Sequence, residues 1–235
     1  HFREQPFIQD ALIKIDTLSG SADSVDVLVI TKDVFSLGGS ADISNLQKFR
    51  LEVRDENFRG AGSRLSFSSF YDKERLHPWG TGVDFIKRNW YGSFINFSIG
   101  YRTYKNDFSS GRQQENSYYA SFDKPLVSPY FRWIGGLDVS YNKTQNNYFP
   151  DSLYKHLVKY GYGKADGWFG YNFGAGKLTK TGVEERTRKL GAVRVFYQRF
   201  DDIPQKVRDT FDYRFSNVSG VLGSFIVFRQ NFTRT

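Results

Sequence analysis

The clearest structural signal in the chain is the stretch Arg54-Asp55-Glu56-Asn57-Phe58-Arg59-Gly60-Ala61-Gly62, which is polar and carries two glycines. Apolar residues alternate with polar ones on both sides of it, namely Phe49, Leu51 and Val53 before it and Leu65 and Phe67 after it. Successive side chains of a β-strand point to opposite faces, so this alternation predicts two half-buried strands. The stretch between them is then the tight turn of a hairpin.

Similar turns recur at residues 87–92 and 123–130, at intervals of roughly 32 to 36 residues, which is a period typical of a meander of long hairpins. The predicted strands are 7–15, 25–31, 34–43, 47–55, 62–71, 80–88, 93–105, 115–123, 130–142, 164–174, 185–200, 210–217 and 221–231. A longer loop at 144–162 includes residues 152–160, which form either a short helix or a strand extension. The pattern therefore predicts an all-β, antiparallel, up-and-down architecture.

The composition combines many aromatic residues with a polar average. Aromatic residues make up 18% of the chain, with 23 Phe and 15 Tyr, while the mean hydropathy is −0.53. Because no apolar run of about 18 residues is present, the chain contains no candidate membrane-spanning helix. Alternating strands with abundant aromatics are typical of a transmembrane β-barrel with a lipid-facing band and a wet interior. A soluble β-sandwich is the alternative, although its strands usually run only about 5–6 residues.

The net charge of +8 does not point to nucleic acid. A nucleic-acid interface would cluster its basic residues with stacking aromatics on one face, whereas here they are spread over turns and over the polar face of each strand. Anionic lipid head groups or a charged lumen explain the charge better. Cysteine is absent, which excludes disulfides and thiol chemistry.

The first 33 residues differ from the rest of the chain in how their apolar residues are distributed. Residues 25–31 are apolar at both alternating sets of positions, a pattern typical of a sheet that other elements cover on both faces. We interpret residues 1–33 as the last hairpin of a small α/β domain whose helices lie upstream, and residues 34–235 as the barrel domain. The strand at 34–43 is weak, because Gly38 and Gly39 offer little side-chain packing.

No catalytic constellation is present. His1, His77 and His156 lie far apart in sequence without neighbouring metal ligands, and no nucleophile elbow or phosphate-binding loop occurs. We therefore expect no enzymatic activity, no metal site and no cofactor.

We also predict roles for two further sets of side chains. The charged residues on the predicted inner face, Arg50, Glu52, Arg54 and Arg102, either pair across strands or line a conduit, and we favour pairing. The aromatic residues at predicted turn edges should anchor the barrel at the membrane interface. They are Trp90, Tyr91, Tyr130, Phe131 and Trp133.

The order of an apolar hairpin, a weak glycine-bearing strand and the turn at 54–62 resembles the junction between the last POTRA domain and the barrel in the Omp85 superfamily, the BamA and TamA group. Its members carry a similar Asp-Asn-aromatic-x-Gly-x-Gly turn, to which Asp55, Asn57, Phe58, Gly60 and Gly62 are similar here. The resemblance covers residues 7 to 140. The family's Arg-Gly-aromatic motif, which lies late in its barrel, is not identifiable in this sequence.

The resemblance implies the N-terminal part, about ten strands, of a sixteen-stranded barrel in a Gram-negative outer membrane, with its N-terminal end in the periplasm. It implies assembly or export of client outer-membrane proteins by strand pairing at a lateral seam. Lipid or lipopolysaccharide and accessory periplasmic or lipoprotein subunits would be further partners. The seam would comprise Val34, Phe35, Ser36, Leu37, Gly38, Gly39, Ser40 and Ala41. Two alternatives are a passive porin-like channel and a barrel that anchors or exports a fused enzyme.

Overall fold

The computed structural model describes residues 8–16, 26–107, 110–125, 131–157, 159–173, 187–203 and 214–226. The strands are β1 (Ile8–Asp16), β2 (Asp26–Asp33), β3 (Leu37–Asn45), β4 (Lys48–Phe58), β5 (Ser63–Asp72), β6 (Trp79–Lys87), β7 (Asn96–Asn106), β8 (Gln113–Lys124), β9 (Trp133–Thr144), β10 (Gly161–Asn172), β11 (Thr187–Asp202) and β12 (Arg214–Ile226). A short helix, α1 (Asp151–Leu157), lies between β9 and β10. No described helix is long and apolar enough to cross a membrane.

The strands form two antiparallel sheets. β1 and β2 pair as a hairpin, and β3 to β12 form a 10-stranded sheet in which every strand pairs with its neighbour in sequence. This confirms the predicted antiparallel, up-and-down order. Among the described strands, β3 and β12 each pair on one side only, so the closed sixteen-stranded barrel stays a prediction.

The two faces of the 10-stranded sheet have opposite chemistry. In β5, the apolar side chain of Phe67 is 56% exposed, whereas its neighbour Ser66 is 2% exposed. We call the face of Phe67 the outer face and the face of Ser66 the inner face. Other exposed apolar residues of the outer face are Leu51, Val53, Val83, Ile99, Leu137, Val139, Phe169, Val193 and Val195. Buried polar residues of the inner face are Ser68, Asp84, Ser117, Asn142, Asp166 and Gln198.

The sheet curls around its polar face. The Lys48 ammonium of β4 donates a 2.8 Å hydrogen bond to Gln113 of β8, although β5, β6 and β7 lie between these strands in the sheet. The Lys105 ammonium of β7 likewise reaches the Tyr162 hydroxyl of β10 at 3.3 Å. A flat sheet would keep such strands too far apart, because neighbouring strands are spaced by about 4.8 Å. The polar side chains are therefore buried by one another on a concave surface.

Three strand predictions need correction. β4 continues to Phe58, so only Arg59–Gly62 forms the turn that was predicted for the whole of 54–62. β3 begins at Leu37, not at Val34. A single strand, β12, replaces the two strands predicted at 210–217 and 221–231, because Val218 to Gly220 pair without interruption with β11. Residues 210–213 and 227–231 lie outside the described part of the chain.

The β1–β2 hairpin is confirmed, with Ile13 opposite Val29 and Ile15 opposite Val27. Most of its described apolar side chains are exposed on both faces. This is the expected condition of a hairpin that other elements cover. The assignment of residues 1–33 to an α/β domain stays a prediction.

Candidate functional site

The first candidate is the edge of β3 that pairs with no other described strand. The Glu56 amide donates a 2.9 Å hydrogen bond to the Ser36 carbonyl, and these two residues are in register with the β3–β4 ladder. In an antiparallel pair, hydrogen-bonded and non-hydrogen-bonded positions alternate. Gly38, Ser40 and Asp42 therefore direct their backbone groups toward β4. The backbone groups of the intervening residues, Leu37, Gly39, Ala41 and Ile43, face away from the described sheet.

Few side chains hold β3 in place. A Cβ atom at Gly39 would meet only the Glu52 carbonyl, at 3.4 Å, and the space above Gly38 is filled only by the long Arg54 side chain. Of the residues predicted for the seam, Leu37 to Ala41 lie in β3, whereas Val34 and Phe35 precede it and are exposed. Leu37 to Ala41 thus lie on a strand that pairs on one side only among the described strands, and their role as a seam stays a prediction.

The turn between β4 and β5 is the second candidate. Asn57 holds it together, because its carbonyl accepts from the Gly60 amide at 2.8 Å and its side-chain oxygen accepts from the Gly62 amide at 2.9 Å. Gly60 and Gly62 have φ of 66° and 63°, in the left-handed region where a Cβ is unfavourable. Asp55 accepts from the Asn57 amide at 3.0 Å.

Two cations that the motif does not include clamp this turn to β6 and its following residue. The Lys87 ammonium donates to the Ala61 carbonyl at 2.5 Å. The Arg88 guanidinium donates to the Glu56 carboxylate at 2.7 Å. Sequence reasoning missed both contacts, since nothing local in residues 54–62 indicates which distant residue binds there.

Predicted interface aromatics lie at the turn end of the sheet. Trp90 belongs to a short 3-10 turn, Trp90–Gly92, and packs near Phe122 at 6.2 Å between ring centroids. Tyr91 is 92% exposed and has a left-handed φ of 49°. Trp133 is exposed on the outer face, 5.0 Å from the Phe169 ring.

Of the remaining two aromatics, only Phe131 is described. Phe131 packs against Phe94 with ring centroids 4.9 Å apart. Tyr130 lies outside the described residues. The membrane-anchoring role of the whole set stays a prediction.

The predicted pairing of inner-face charges across strands is found for Arg50 and Arg102, whereas Arg54 pairs along its own strand. Arg50 binds Asp42 at 2.8 Å across the β3–β4 pair, and Arg54 lies 3.2 Å from Glu56 and 3.6 Å from Glu52. Arg102 of β7 lies 3.1 Å from Asp84 of β6. The cross-strand pairs of Arg50 and Arg102 stabilise neighbouring strands, and all these pairs lower the cost of placing charges on a half-buried wall.

Large aromatic side chains lie over inner-face glycines. The Tyr119 side chain covers Gly100 and donates its hydroxyl to Asp84. Tyr104 covers Gly82, and its hydroxyl lies 2.6 Å from the Ser68 hydroxyl. At Gly100 the Tyr119 ring fills the space that a side chain would need, and at Gly82 the Ser68 and Tyr104 hydroxyls fill it. Sequence reasoning did not identify these contacts, although the recurrence of Gly at inner-face positions was a usable signal.

A buried polar cluster closes the opposite end of the sheet. The Tyr148 hydroxyl donates to Asp72 at 2.8 Å, and the Arg112 guanidinium lies 5.3 Å from the Tyr148 ring centroid. Burial raises the pKa of Tyr148, and its hydrogen bond to the Asp72 carboxylate raises it further. The Leu76 amide donates to the Asn147 carbonyl at 2.5 Å, which joins the loops after β5 and β9.

The absence of enzymatic activity stays a prediction. His77 is exposed in the β5–β6 connection, while His1 and the His156 side chain lie outside the described residues. Within the described ranges, no group of three or more acidic or histidine side chains is placed to hold a metal ion. What the geometry offers is a strand edge for pairing and a charged, concave inner wall.

No family model and no curated protein matches this chain. Among solved structures, the chain is similar to the crystal structure of BamA from Haemophilus ducreyi lacking POTRA domains 1-3, with 15% sequence identity and a TM-score of 0.40. The match covers 94% of this chain and 47% of that one, so the chain spans about half the length of the structure it resembles.

Proposed function

We propose that this chain is the N-terminal part of the barrel of an outer-membrane protein assembly or translocation factor, which binds a client strand at the free edge of β3. The observation that carries the proposal is this edge. Every second residue from Leu37 to Ile43 directs its backbone donor and acceptor away from the described sheet. An extended peptide that pairs there gains main-chain hydrogen bonds by β-augmentation.

Membrane insertion is supported by the inverted distribution of polarity. A water-soluble sheet buries its apolar face, whereas here the outer face exposes apolar side chains and the inner face buries polar ones. Apolar patches of this extent mark a membrane or a protein interface. In lipid this arrangement is favourable, because hydrocarbon contacts the outer face and the polar groups satisfy one another inside.

The weak packing of β3 supports a seam at this position. Gly38 and Gly39 contribute no side chains, so few contacts need to break when β3 exchanges one partner strand for another. The Asn57 turn and its clamp to Lys87 and Arg88 keep β4 and β5 in place while β3 moves. In this proposal β3 is thus the strand that can exchange partners, while side-chain contacts hold its neighbours in place.

The test is disulfide trapping of a client, which is simple because this chain has no cysteine of its own. Ala41→Cys is placed in the full-length protein, and an outer-membrane β-barrel client carries single cysteines along its last strand. We expect crosslinks at every second client position and a stalled assembly reaction that reductant restores. Ala120→Cys, in the sheet interior on β8, is the matched control and should give none.

Equal crosslinking of the Ala41 and Ala120 variants would contradict the hypothesis that clients pair with β3. Undiminished client insertion by the crosslinked form would do the same. Steady ion conductance by a protein that never crosslinks to clients would instead favour the porin-like alternative.

A further inference from the structure

Several ion pairs of the inner face hold the carboxylate deeper than the cation, although in the Arg50–Asp42 pair the aspartate is the more exposed partner. In the Lys105–Glu115 pair, the lysine side chain is 39% exposed and the glutamate 0%. In the Arg102–Asp84 pair, the corresponding values are 44% and 9%. The carboxylates lie in the wall, and the cations lie in front of them. At these two pairs the exposed charge is therefore the positive one.

This effect is concentrated in one cavity. A cavity of about 340 Å³ lies on the inner face across β3, β4, β5, β7 and β8. Its lining includes the cations Lys48, Arg50, Arg102 and Lys105, whereas Asp42 is its one acidic residue. A second cavity, of about 240 Å³, adjoins it and shares Asp42, Arg50 and Arg102.

The two arginines of the cavity have N–H groups left to donate hydrogen bonds to a ligand. Arg50 binds Asp42 through one terminal nitrogen at 2.8 Å, and Arg102 reaches Asp84 through one terminal nitrogen at 3.1 Å from each carboxylate oxygen. A guanidinium has five N–H donors in a planar fork that matches phosphate. Since both groups are half exposed toward the cavity, their other donors face the space that a ligand would occupy.

We propose that this cavity binds a phosphate-bearing ligand, held by Arg50 and Arg102 with Lys48 and Lys105 at its rim. Each of these cations has a carboxylate partner, but four cations around one partly enclosed space attract an anion more strongly than isolated exposed lysines do, because the protein wall screens less than water. The ligand is either free phosphate or a phosphate carried by a sugar, such as a lipid-linked sugar head group. The proposal concerns the inner face and stands whether or not β3 accepts a client strand.

The experiment measures binding to the detergent-solubilised full-length protein by calorimetry in chloride buffer. One arm titrates inorganic phosphate, and the other titrates glucosamine 6-phosphate. Arg50→Gln should weaken binding about tenfold, because it removes one charge-assisted contact. Asp42→Asn should tighten binding, since it removes the acidic residue of the cavity and releases Arg50 from its ion pair. Lys143→Gln, which removes an exposed cation of β9 outside the cavity, should leave binding unchanged.

The opposite effects expected of Arg50→Gln and Asp42→Asn on binding distinguish a binding role of these residues from a structural role. A variant that merely disturbs the fold weakens binding in either case, whereas only an anion site is improved by Asp42→Asn. Tighter binding of glucosamine 6-phosphate than of phosphate would identify a phosphate carried by a sugar as the ligand. Equal binding of the two would identify free phosphate. Either result supports the proposal. Weaker binding by Asp42→Asn, or equal effects of Arg50→Gln and Lys143→Gln, would overturn it.

Discussion

Gly100→Ala tests whether the aromatic rings on the inner wall hold the sheet together. A Cβ atom at this position would lie 2.5 Å from the Asp84 carboxylate and from the Tyr119 hydroxyl, and 2.6 Å from the ring carbon that bears that hydroxyl. Comfortable contacts between such atoms require about 3.5–4.0 Å. The Tyr119 ring and the Asp84 carboxylate must therefore shift by about 1 Å, which disturbs the hydrogen bond between them and the packing around it.

The expected loss of stability follows from these contacts. A hydrogen bond to a charged group contributes about 1.5–3 kcal/mol, and overpacking costs about 1–3 kcal/mol when the neighbours must shift. The reduced flexibility of the unfolded chain offsets about 0.4–1 kcal/mol of this. Because the ring relieves the clash when it moves, the two penalties overlap, and we expect a net loss of about 2 kcal/mol.

The assay is urea-dependent unfolding of the full-length protein from lipid vesicles, followed by tryptophan fluorescence. Gly163→Ala is the matched control, because a Cβ there would meet nothing within 4 Å. That variant should be neutral or slightly stabilised. In the Gly100→Ala background, Tyr119→Ala should cost less than it does alone, since it also removes the clash. Equal effects of the two glycine variants, or strictly additive effects of Gly100→Ala and Tyr119→Ala, would refute the packing argument.

Two further predictions concern the ends and the faces of the sheet. The pKa of Tyr148 is raised in the folded protein, so its contribution to loop stability is complete below the unfolded value of about 10 and is lost as pH rises above it. Limited proteolysis of the loop after β9 should accelerate at alkaline pH in the wild type, and less steeply in Tyr148→Phe; identical profiles would contradict this origin. In single-tryptophan variants, brominated lipid chains should quench Trp133 on the outer face but not Trp168, whose indole covers Gly136 on the inner face. Equal quenching of both would argue against the assignment of the faces.

The strands and faces of the sheet follow largely from local pattern. Alternation over residues 93–105 predicted β7 and placed Ile99 and Tyr101 on one face and Gly100 and Arg102 on the other, as the structure has them. The weak strand around Gly38 and Gly39 was predicted as a strand with little packing and is one. Errors arose where local signals mislead. Polar residues 54–58 resemble a turn but extend β4, because the partner β5 continues their ladder past a bulge.

For the candidate sites too, local sequence pattern determines some features and tertiary structure determines the others. Side-chain direction alternates with a period of two along any strand, so the face of a residue can be determined from the residues beside it. Which distant residue it meets depends on register and on the curl of the sheet, and these arise only when all strands pair. Residue order alone therefore established that Arg50 and Arg102 point inward. Only the tertiary structure brought them to one cavity, set the Asp84 carboxylate behind Arg102 and left the backbone of β3 at an edge of the described sheet.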